Sequence, residues 1–249
     1  MHTFRTRFRK EIVAEFLPPS RITKKQRVII LLDGAPSVPS KKPVLEFLSK
    51  KGFWVFSPRY RGAWESDGKF LKHSLEKDVL DVVSELSTGF TELWNNKKIK
   101  LKPDAIYIIG ASFGGPASII ASKDPRVTKS ISISPMIDWT KTTPAEPIDQ
   151  MAKFFETGYG NGYRVDSQAW ERLKSGKFYN AINHVKEIDG KKLLIIHAKD
   201  DKICPYKLSK KFAEDSGSQI LSIAKGGHYG SSILLTPRIF KAFQKFIKS

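Results

Sequence analysis

A glycine-flanked serine follows an apolar run near the middle of the chain. Residues 110–115 read Gly-Ala-Ser-Phe-Gly-Gly, directly after the β-branched stretch Ala105–Ile109. A serine at a strand-to-helix corner needs a strained backbone, and Gly110 and Gly114 have no β-carbon to collide across such a turn. The hydroxyl of Ser112 would then project from a sheet beside helix-start N–H groups that stabilise a developing oxyanion. By itself, the motif is equally compatible with an ordinary turn in which Ser112 caps a helix.

A serine hydroxyl is a weak nucleophile until a neighbouring base removes its proton, so the partner histidine has to be found. His228 stands in Lys-Gly-Gly-His-Tyr-Gly, after the last predicted strand and before the last predicted helix. The glycines on both sides allow a loop to carry the imidazole over the edge of a sheet, although an ordinary surface histidine is the alternative. The remaining histidines have less suitable positions: His2 at the terminus, His73 at the start of a charged helix, His184 in an irregular segment and His197 at the end of an apolar strand.

The third group required is a carboxylate that holds the imidazole in the correct tautomer and stabilises its cation. Two adjacent aspartates, Asp200 and Asp201, come directly after the apolar run Leu193–His197. Either of them qualifies on position alone. A serine, an aspartate and a histidine in that chain order, each after a predicted strand, are the arrangement of an α/β-hydrolase.

The elements that must position these residues alternate between strand and helix. Strands are predicted at Phe4–Phe8, Ile12–Phe16, Val28–Leu32, Trp54–Ser57, Ala105–Ile109, Ser130–Ser134, Leu193–His197 and Gln219–Ile223. Helices are predicted around Val44–Lys50, Leu75–Leu86, Gly115–Ser122, Tyr206–Ser216 and Arg238–Ile247. This pattern predicts an α/β fold with a mostly parallel eight-stranded sheet flanked by helices on both faces. Its first strand alternates Phe and Thr with Arg and suits a sheet edge.

One segment interrupts the alternation, because residues 136–192 contain no clear buried strand. Short helices are predicted at Ile148–Thr157 and Ser167–Ser175. We expect one α/β-hydrolase domain over residues 1–249, with residues 136–192 inserted as a small cap or lid over one end of the sheet. The aromatic side chains of this segment either line a substrate pocket or pack the cap onto the sheet, and packing is the more common role.

The net charge of +18 raises the question of a polyanionic partner. The basic residues are dispersed as pairs, and 32 lysines accompany only 11 arginines, whereas bidentate phosphate recognition favours arginine. No nucleic-acid-binding module is visible, so a solvated basic surface is expected and no specific nucleic-acid partner. The rival interpretation is a non-catalytic basic protein that binds polyanions on the same scaffold.

Targeting and redox signals are few. The chain has no apolar run of about 18 residues that would span a membrane, and its first ten residues have no apolar core of a secretory signal. Cys204 is the single cysteine, which excludes an internal disulfide and a four-cysteine metal site. We therefore expect a cytoplasmic protein without a metal or organic cofactor, whose oligomeric state the sequence leaves open.

Four motifs together resemble the α/β-hydrolase superfamily, and within it the catalytic domain of prolyl oligopeptidase-type (S9-like) serine hydrolases. They are Arg59-Tyr60-Arg61-Gly62 with Trp64 and Gly68, the serine motif at 110–115, the stretch His197–Pro205, and Gly227-His228. His197–Pro205 is similar to the family pattern His-Gly-x-x-Asp-x-x-Val-Pro, which assigns the acid to Asp201. The resemblance runs from about Val28 to the end of the chain.

The sequence departs from that family at three places. Ala198 replaces a glycine, Cys204 replaces a valine, and Asp33-Gly34-Ala35-Pro36 stands where the family has His-Gly before its oxyanion loop. Because backbone N–H groups form an oxyanion hole, the N–H of Phe113 and one near Ala35 still suit that role. We expect the Asp33-Gly34 pair to form a turn rather than to take part in catalysis.

These observations predict a serine hydrolase in which Ser112 attacks, His228 transfers the proton and Asp201 orients His228. The expected substrate is a small carboxylic ester. The resemblance keeps a prolyl oligopeptidase-like peptidase or acylaminoacyl-peptidase as the alternative, with a peptide substrate. Arg59 and Arg61 either bind a substrate carboxylate or, more commonly for such arginines, brace their loop through acids such as Glu65 or Asp67.

Overall fold

An eight-stranded sheet forms the centre of the protein in the computed structural model, which describes residues 2–21 and 24–249. The strands are β1 (Phe4–Phe8), β2 (Ile12–Leu17), β3 (Arg27–Leu32), β4 (Trp54–Pro58), β5 (Phe90–Glu92), β6 (Lys97–Ile99), β7 (Ala105–Ala111), β8 (Lys129–Ile133), β9 (Leu193–Ala198) and β10 (Gln219–Ile223). The sheet order is β1-β2-β4-β3-β7-β8-β9-β10, while β5 and β6 pair separately. The α-helices are α1 (Lys42–Lys50), α2 (Glu76–Thr88), α3 (Gly115–Ala121), α4 (Ile148–Phe154), α5 (Ala169–Lys174), α6 (Tyr206–Ser216) and α7 (Pro237–Phe246).

The strand directions bring the loops that carry chemistry to one edge of the sheet. The strands from β4 through β3, β7, β8 and β9 to β10 are parallel, whereas β1 and β2 are antiparallel additions. In the register of β3 with β7, Leu32 lies opposite Gly110. The loops that follow these two strands therefore begin side by side, as expected at the carboxyl ends of parallel strands.

Helices cover both faces of the sheet because the central strands are apolar on both sides. On one face, α2 and α3 pack against the sheet through side chains such as Val79, Val82 and Ala117. On the other face, α1 and α7 bury Leu48 and Phe243. The predicted sheet, its eight strands, its five flanking helices and the edge position of β1 are confirmed.

The β5–β6 hairpin was not predicted from the sequence. Each of its strands has three residues, and Lys97 and Lys98 are exposed, so it lacks the alternating pattern that identifies a strand. The helix predicted for Ile148–Thr157 also ends early, at Phe154, and continues as a wider helical turn over Phe155–Tyr159. That turn stops at Gly160, whose φ of +45° leaves the right-handed helical region.

Residues 136–192 connect β8 to β9 and, as predicted, contain no strand among the elements of the described structure. Two isolated bridges, Ala63 to Tyr163 and Phe70 to Val165, join this insertion to the loop after β4. Several of its aromatic side chains are buried, among them Trp139, Phe155, Tyr163 and Tyr179. Packing is thus their main role, and the assignment of the insertion as a cap stays a prediction.

Arg59 and Arg61 are held by carboxylates. Arg59 forms ion pairs with Glu65 at 3.0 Å and with Glu15 at 3.1 Å. Arg61 forms ion pairs with the acids Glu11, Asp78 and Asp81. The bracing role is confirmed, with the difference that Asp67 pairs with Arg7 and not with Arg61.

Within the described residues, no helix combines the length and the apolar character that crossing a bilayer requires.

Candidate active site

Ser112 occupies a strained turn between β7 and α3. Its φ is +52°, in the left-handed region that non-glycine residues rarely adopt. The residue comes one position after the end of β7 and starts a short 3₁₀ turn that leads into α3. Strain of this kind persists where the surrounding structure enforces it, and it is frequent at functional sites.

Two glycines permit the turn, as the sequence predicted. A β-carbon on Gly110 would lie 2.2 Å from the carbonyl oxygen of Gly114 and 2.8 Å from Cβ of Ser118. A β-carbon on Gly114 would lie 2.5 Å from the carbonyl oxygen of Asp33 and 2.7 Å from Oη of Tyr60. No side chain fits at these distances, so both positions depend on glycine.

His228 contacts Asp201, whereas the neighbouring Asp200 has different hydrogen-bond partners. Nδ1 of His228 lies 2.8 Å from Oδ2 of Asp201. The carboxylate of Asp200 instead accepts hydrogen bonds from the backbone N–H groups of Gly226 and Gly227, at 3.0 and 2.9 Å. One aspartate therefore contacts the imidazole while its neighbour fixes the loop that carries it.

Four hydrogen bonds surround the buried carboxylate of Asp201. Oδ1 accepts from the backbone N–H of Ile203 and Cys204, at 2.8 and 3.1 Å. Oδ2 is shared by Nδ1 of His228 and Nε2 of His197, the latter at 3.0 Å. Burial alone would raise the pKa of Asp201, but the hydrogen bonds from His197 and His228 outweigh it and hold this pKa well below its usual range.

Ser112 and His228 line the same cavity, which has a volume of about 500 Å³. Among the described residues, no hydrogen bond joins the Ser112 hydroxyl to the imidazole. Catalytic hydrogen bonds are often long without a substrate and shorten only in its complex. Because Nδ1 faces Asp201, the other ring nitrogen, Nε2, is the one free to exchange a proton with a group in the cavity.

The loop after β3 runs directly beside the serine. A β-carbon on Gly34 would lie 3.2 Å from Cβ and 3.6 Å from Oγ of Ser112, and the next residue, Ala35, also lines the cavity. Tyr60 fixes this loop by donating its hydroxyl hydrogen to the carbonyl oxygen of Asp33, at 3.0 Å. Phe113, the second residue predicted for an oxyanion hole, follows Ser112 in the turn, and its carbonyl oxygen accepts a hydrogen bond from the Tyr179 hydroxyl at 2.6 Å.

This geometry agrees with the sequence comparison. Residues 39–248 match the sequence profile of the prolyl oligopeptidase family. The chain belongs to the prolyl oligopeptidase family. A comparison with curated proteins finds no significant match to this family member.

Similarity to solved structures shows that this chain has the α/β-hydrolase fold. An esterase of Pyrococcus furiosus superposes with a TM-score of 0.70 at 20% identity, covering 99% of this chain and 90% of that one. An acylaminoacyl peptidase of Pyrococcus horikoshii has a TM-score of 0.68 at 19% identity, covering 99% of this chain and 41% of the peptidase. An α/β-hydrolase of Penicillium has a TM-score of 0.67 at 18% identity, covering 99% of this chain and 97% of that one.

Asp33, where this family member departs from the family's His-Gly, has an ion-pair partner. Its carboxylate lies 3.1 Å from Nζ of Lys41, and both side chains are mostly buried. Burial raises the pKa of Asp33, and the charge and hydrogen bond of Lys41 together with a hydrogen bond from Ser231 offset only part of that effect. Lys41 thus balances part of the charge of an acid on the loop that runs beside Ser112.

Glu146 is an acidic cavity residue that the sequence did not indicate as part of a site. It lines the cavity together with Ser112 and His228, although it belongs to the insertion and stands in no recognisable motif. Burial raises the pKa of Glu146, while attraction to His228 lowers it and repulsion from Asp201 raises it further. Glu146 belongs to the segment between β8 and β9, and only the tertiary structure brings this acid to the cavity of Ser112 and His228.

Proposed function

We propose that this protein is a serine hydrolase that cleaves carboxylic esters through a Ser112-His228-Asp201 triad and an acyl-enzyme intermediate. One observation carries the proposal. Ser112, whose backbone is held in the left-handed region, shares a cavity with His228, and Nδ1 of His228 is hydrogen-bonded to the buried carboxylate of Asp201. A structural serine or a surface histidine has no need of either feature.

The reaction follows from the tautomer that Asp201 imposes. With its proton on Nδ1, His228 accepts the Ser112 hydroxyl proton on Nε2 as Oγ forms a bond to the ester carbonyl carbon. The tetrahedral intermediate collapses, the carbon–oxygen bond to the alcohol breaks, and Nε2 returns the proton to the leaving alkoxide. Water then attacks the acyl-enzyme in the same way, which releases the acid and restores Ser112.

The oxyanion is assigned to backbone N–H groups of Phe113 and Ala35. Phe113 directly follows the serine, and the loop of Gly34 and Ala35 runs so near it that a β-carbon on Gly34 would lie 3.2 Å from Cβ of Ser112. Donors fixed by the backbone stabilise developing charge without having to reorganise during the reaction. The Tyr60 hydrogen bond to Asp33 supports this role because it anchors the loop.

Esters are favoured over peptides by the size of the related structures. This chain covers 90% of the Pyrococcus furiosus esterase but only 41% of the Pyrococcus horikoshii acylaminoacyl peptidase. Peptidase or acylaminoacyl-peptidase activity is the second candidate, and the match to the prolyl oligopeptidase family supports it.

The test compares the parent with Ser112→Ala on short p-nitrophenyl esters and with a fluorophosphonate probe. We expect kcat to fall on the order of 10⁴-fold or more in Ser112→Ala, with no probe labelling. Ser87→Ala, which changes an exposed serine at the end of α2, is the matched control. Equal turnover by the parent and Ser112→Ala would contradict the proposal.

A second panel separates the two candidate functions. It pairs acyl esters with aminoacyl and acyl-peptide amides of the same acyl group. A higher kcat/KM for the esters supports the esterase, whereas a higher kcat/KM for the amides, still dependent on Ser112, identifies a peptidase.

A further inference from the structure

The cavity beside Ser112 carries an acidic side chain that is not compensated by a partner. Its charged or titratable lining residues are Asp33, Lys41, Glu146, His228 and Tyr229. Asp33 and Lys41 form an ion pair. Glu146 is half-buried, and among the described residues its carboxylate forms neither a hydrogen bond nor an ion pair within 4.0 Å. A partly desolvated carboxylate in that state gains more from a cation than one in open solvent does.

The loop that carries Glu146 is fixed against the loop that carries Asp201. The hydroxyl of Thr143 donates to the carbonyl oxygen of Lys202 at 2.8 Å. The backbone N–H of Glu146 donates in turn to the carbonyl oxygen of Thr143 at 3.1 Å, which closes a tight turn. The position of Glu146 is therefore tied to the aspartate loop.

This attachment places Glu146 on the imidazole side of the cavity. Its carboxylate interacts electrostatically with both His228 and Asp201. In the proposed reaction His228 returns its proton to the leaving alcohol, so the alcohol oxygen lies next to an imidazole that shares its cavity with Glu146.

An aromatic ring adds a second element that suits a cation. Phe154, at the end of α4, lines the same cavity and is half exposed, with 52% of its surface accessible. The face of an aromatic ring attracts ammonium groups, and quaternary ammonium most clearly, because such a cation cannot recover its loss of water through hydrogen bonds. An apolar ring and a carboxylate together are the chemistry that recognises an alkylammonium group.

We infer that Glu146 is a specificity-determining residue that binds a positively charged group on the leaving alcohol, so that the preferred substrates are esters of ammonium-bearing alcohols. The inference rests on the proposed esterase function and specifies its substrate class. This preference for cations is opposite to the effect of the net charge, because a protein of net charge +18 repels cations at long range. A local carboxylate provides selectivity for cations inside the cavity.

The experiment measures kcat/KM for two esters that differ in one atom. Butyrylcholine carries a quaternary ammonium, and 3,3-dimethylbutyl butyrate replaces its nitrogen by carbon with the same shape. Release of butyric acid is followed by pH-stat titration for the parent, Glu146→Gln, Ser112→Ala and the control Glu214→Gln. Glu214 is an exposed acid of α6 whose carboxylate pairs with Lys210 at 3.7 Å.

We expect the parent to favour the charged ester by about fivefold or more, the effect of one partly exposed ion pair. In Glu146→Gln this ratio should fall to about 1, whereas in Glu214→Gln it should stay at the parent value. The ratio in the parent should also decrease when salt is added, because screening weakens an electrostatic preference.

Two results would overturn the inference. A ratio near 1 in the parent, or an unchanged ratio in Glu146→Gln, removes the cation preference. An equal loss on both esters in Glu146→Gln means that the residue acts through His228 and not on the substrate. If Ser112→Ala cleaves both esters as fast as the parent, the proposed function itself fails; Ser112-dependent cleavage without a cation preference overturns this inference alone.

Discussion

Nε2 of His197 lies 3.0 Å from Oδ2 of Asp201, the same oxygen that contacts His228 at 2.8 Å. His197 is completely buried, and its Nδ1 lies 2.8 Å from the Ser209 hydroxyl. With Ser209 donating to Nδ1, Nε2 carries the proton and donates it to Asp201. We therefore interpret His197 as a positioning residue, which acts on His228 through the aspartate.

The role of His197 can be tested by replacing it with glutamine or asparagine, whose side chains end in an amide. Glutamine reaches about as far as Nε2 and keeps a donor toward Asp201, whereas asparagine reaches only about as far as Nδ1. We expect His197→Asn to lower kcat about tenfold to a hundredfold, the value of a lost hydrogen bond to a charged group, with KM nearly constant. Steady-state kinetics should show that His197→Gln keeps more of kcat; equal losses in both would indicate a purely structural role.

The two adjacent aspartates should differ sharply in activity. Asp201→Asn removes the charge that selects the Nδ1–H tautomer of His228, and we expect kcat to fall on the order of 10³-fold to 10⁴-fold. Asp200→Asn keeps an oxygen that accepts from Gly226 and Gly227, so its loss should be much smaller. Ester hydrolysis at neutral pH measures both. A larger loss in Asp200→Asn would transfer the orienting role to that residue.

The depressed pKa of Asp201 predicts a pH-dependent stability. The folded pKa is below the ordinary value near 4, so the unfolded chain binds more protons in acid. This contribution is fully present above the ordinary pKa and is lost as the pH falls from there toward the folded pKa. Urea unfolding at pH 7 and pH 3 should therefore show a larger loss of unfolding free energy for the parent than for Asp201→Asn. The same loss in both would contradict the assignment.

Breaking the Asp33–Lys41 ion pair should cost stability in a non-additive way. Lys41→Met leaves the mostly buried Asp33 carboxylate without its partner, and we expect a loss of about 1–3 kcal/mol in the free energy of unfolding. Asp33→Asn combined with Lys41→Met should recover part of that loss because no charge is left unpaired. Urea denaturation of the two single variants and the double variant measures the coupling. Strict additivity would show that the two side chains do not interact.

The sequence predicts the candidate site residues better than it predicts some of the secondary structure around them. Ser112 and His228 are predicted as site residues because glycines flank them and because each follows a predicted strand. The resemblance to a known family then selected Asp201, which local sequence could not separate from Asp200. The β5–β6 hairpin was missed because three-residue strands carry too little periodicity to identify.

The sequence by itself determined the α/β class, the β–turn–α position of Ser112 and the flanking helices, because hydrophobic periodicity and glycine placement act over neighbouring residues. Only the tertiary structure decided that Asp201 receives His228 as well as His197, that Lys41 pairs with Asp33 and that Glu146 reaches the cavity. These contacts join residues from separate loops, and no local pattern records which loops the folded sheet brings together.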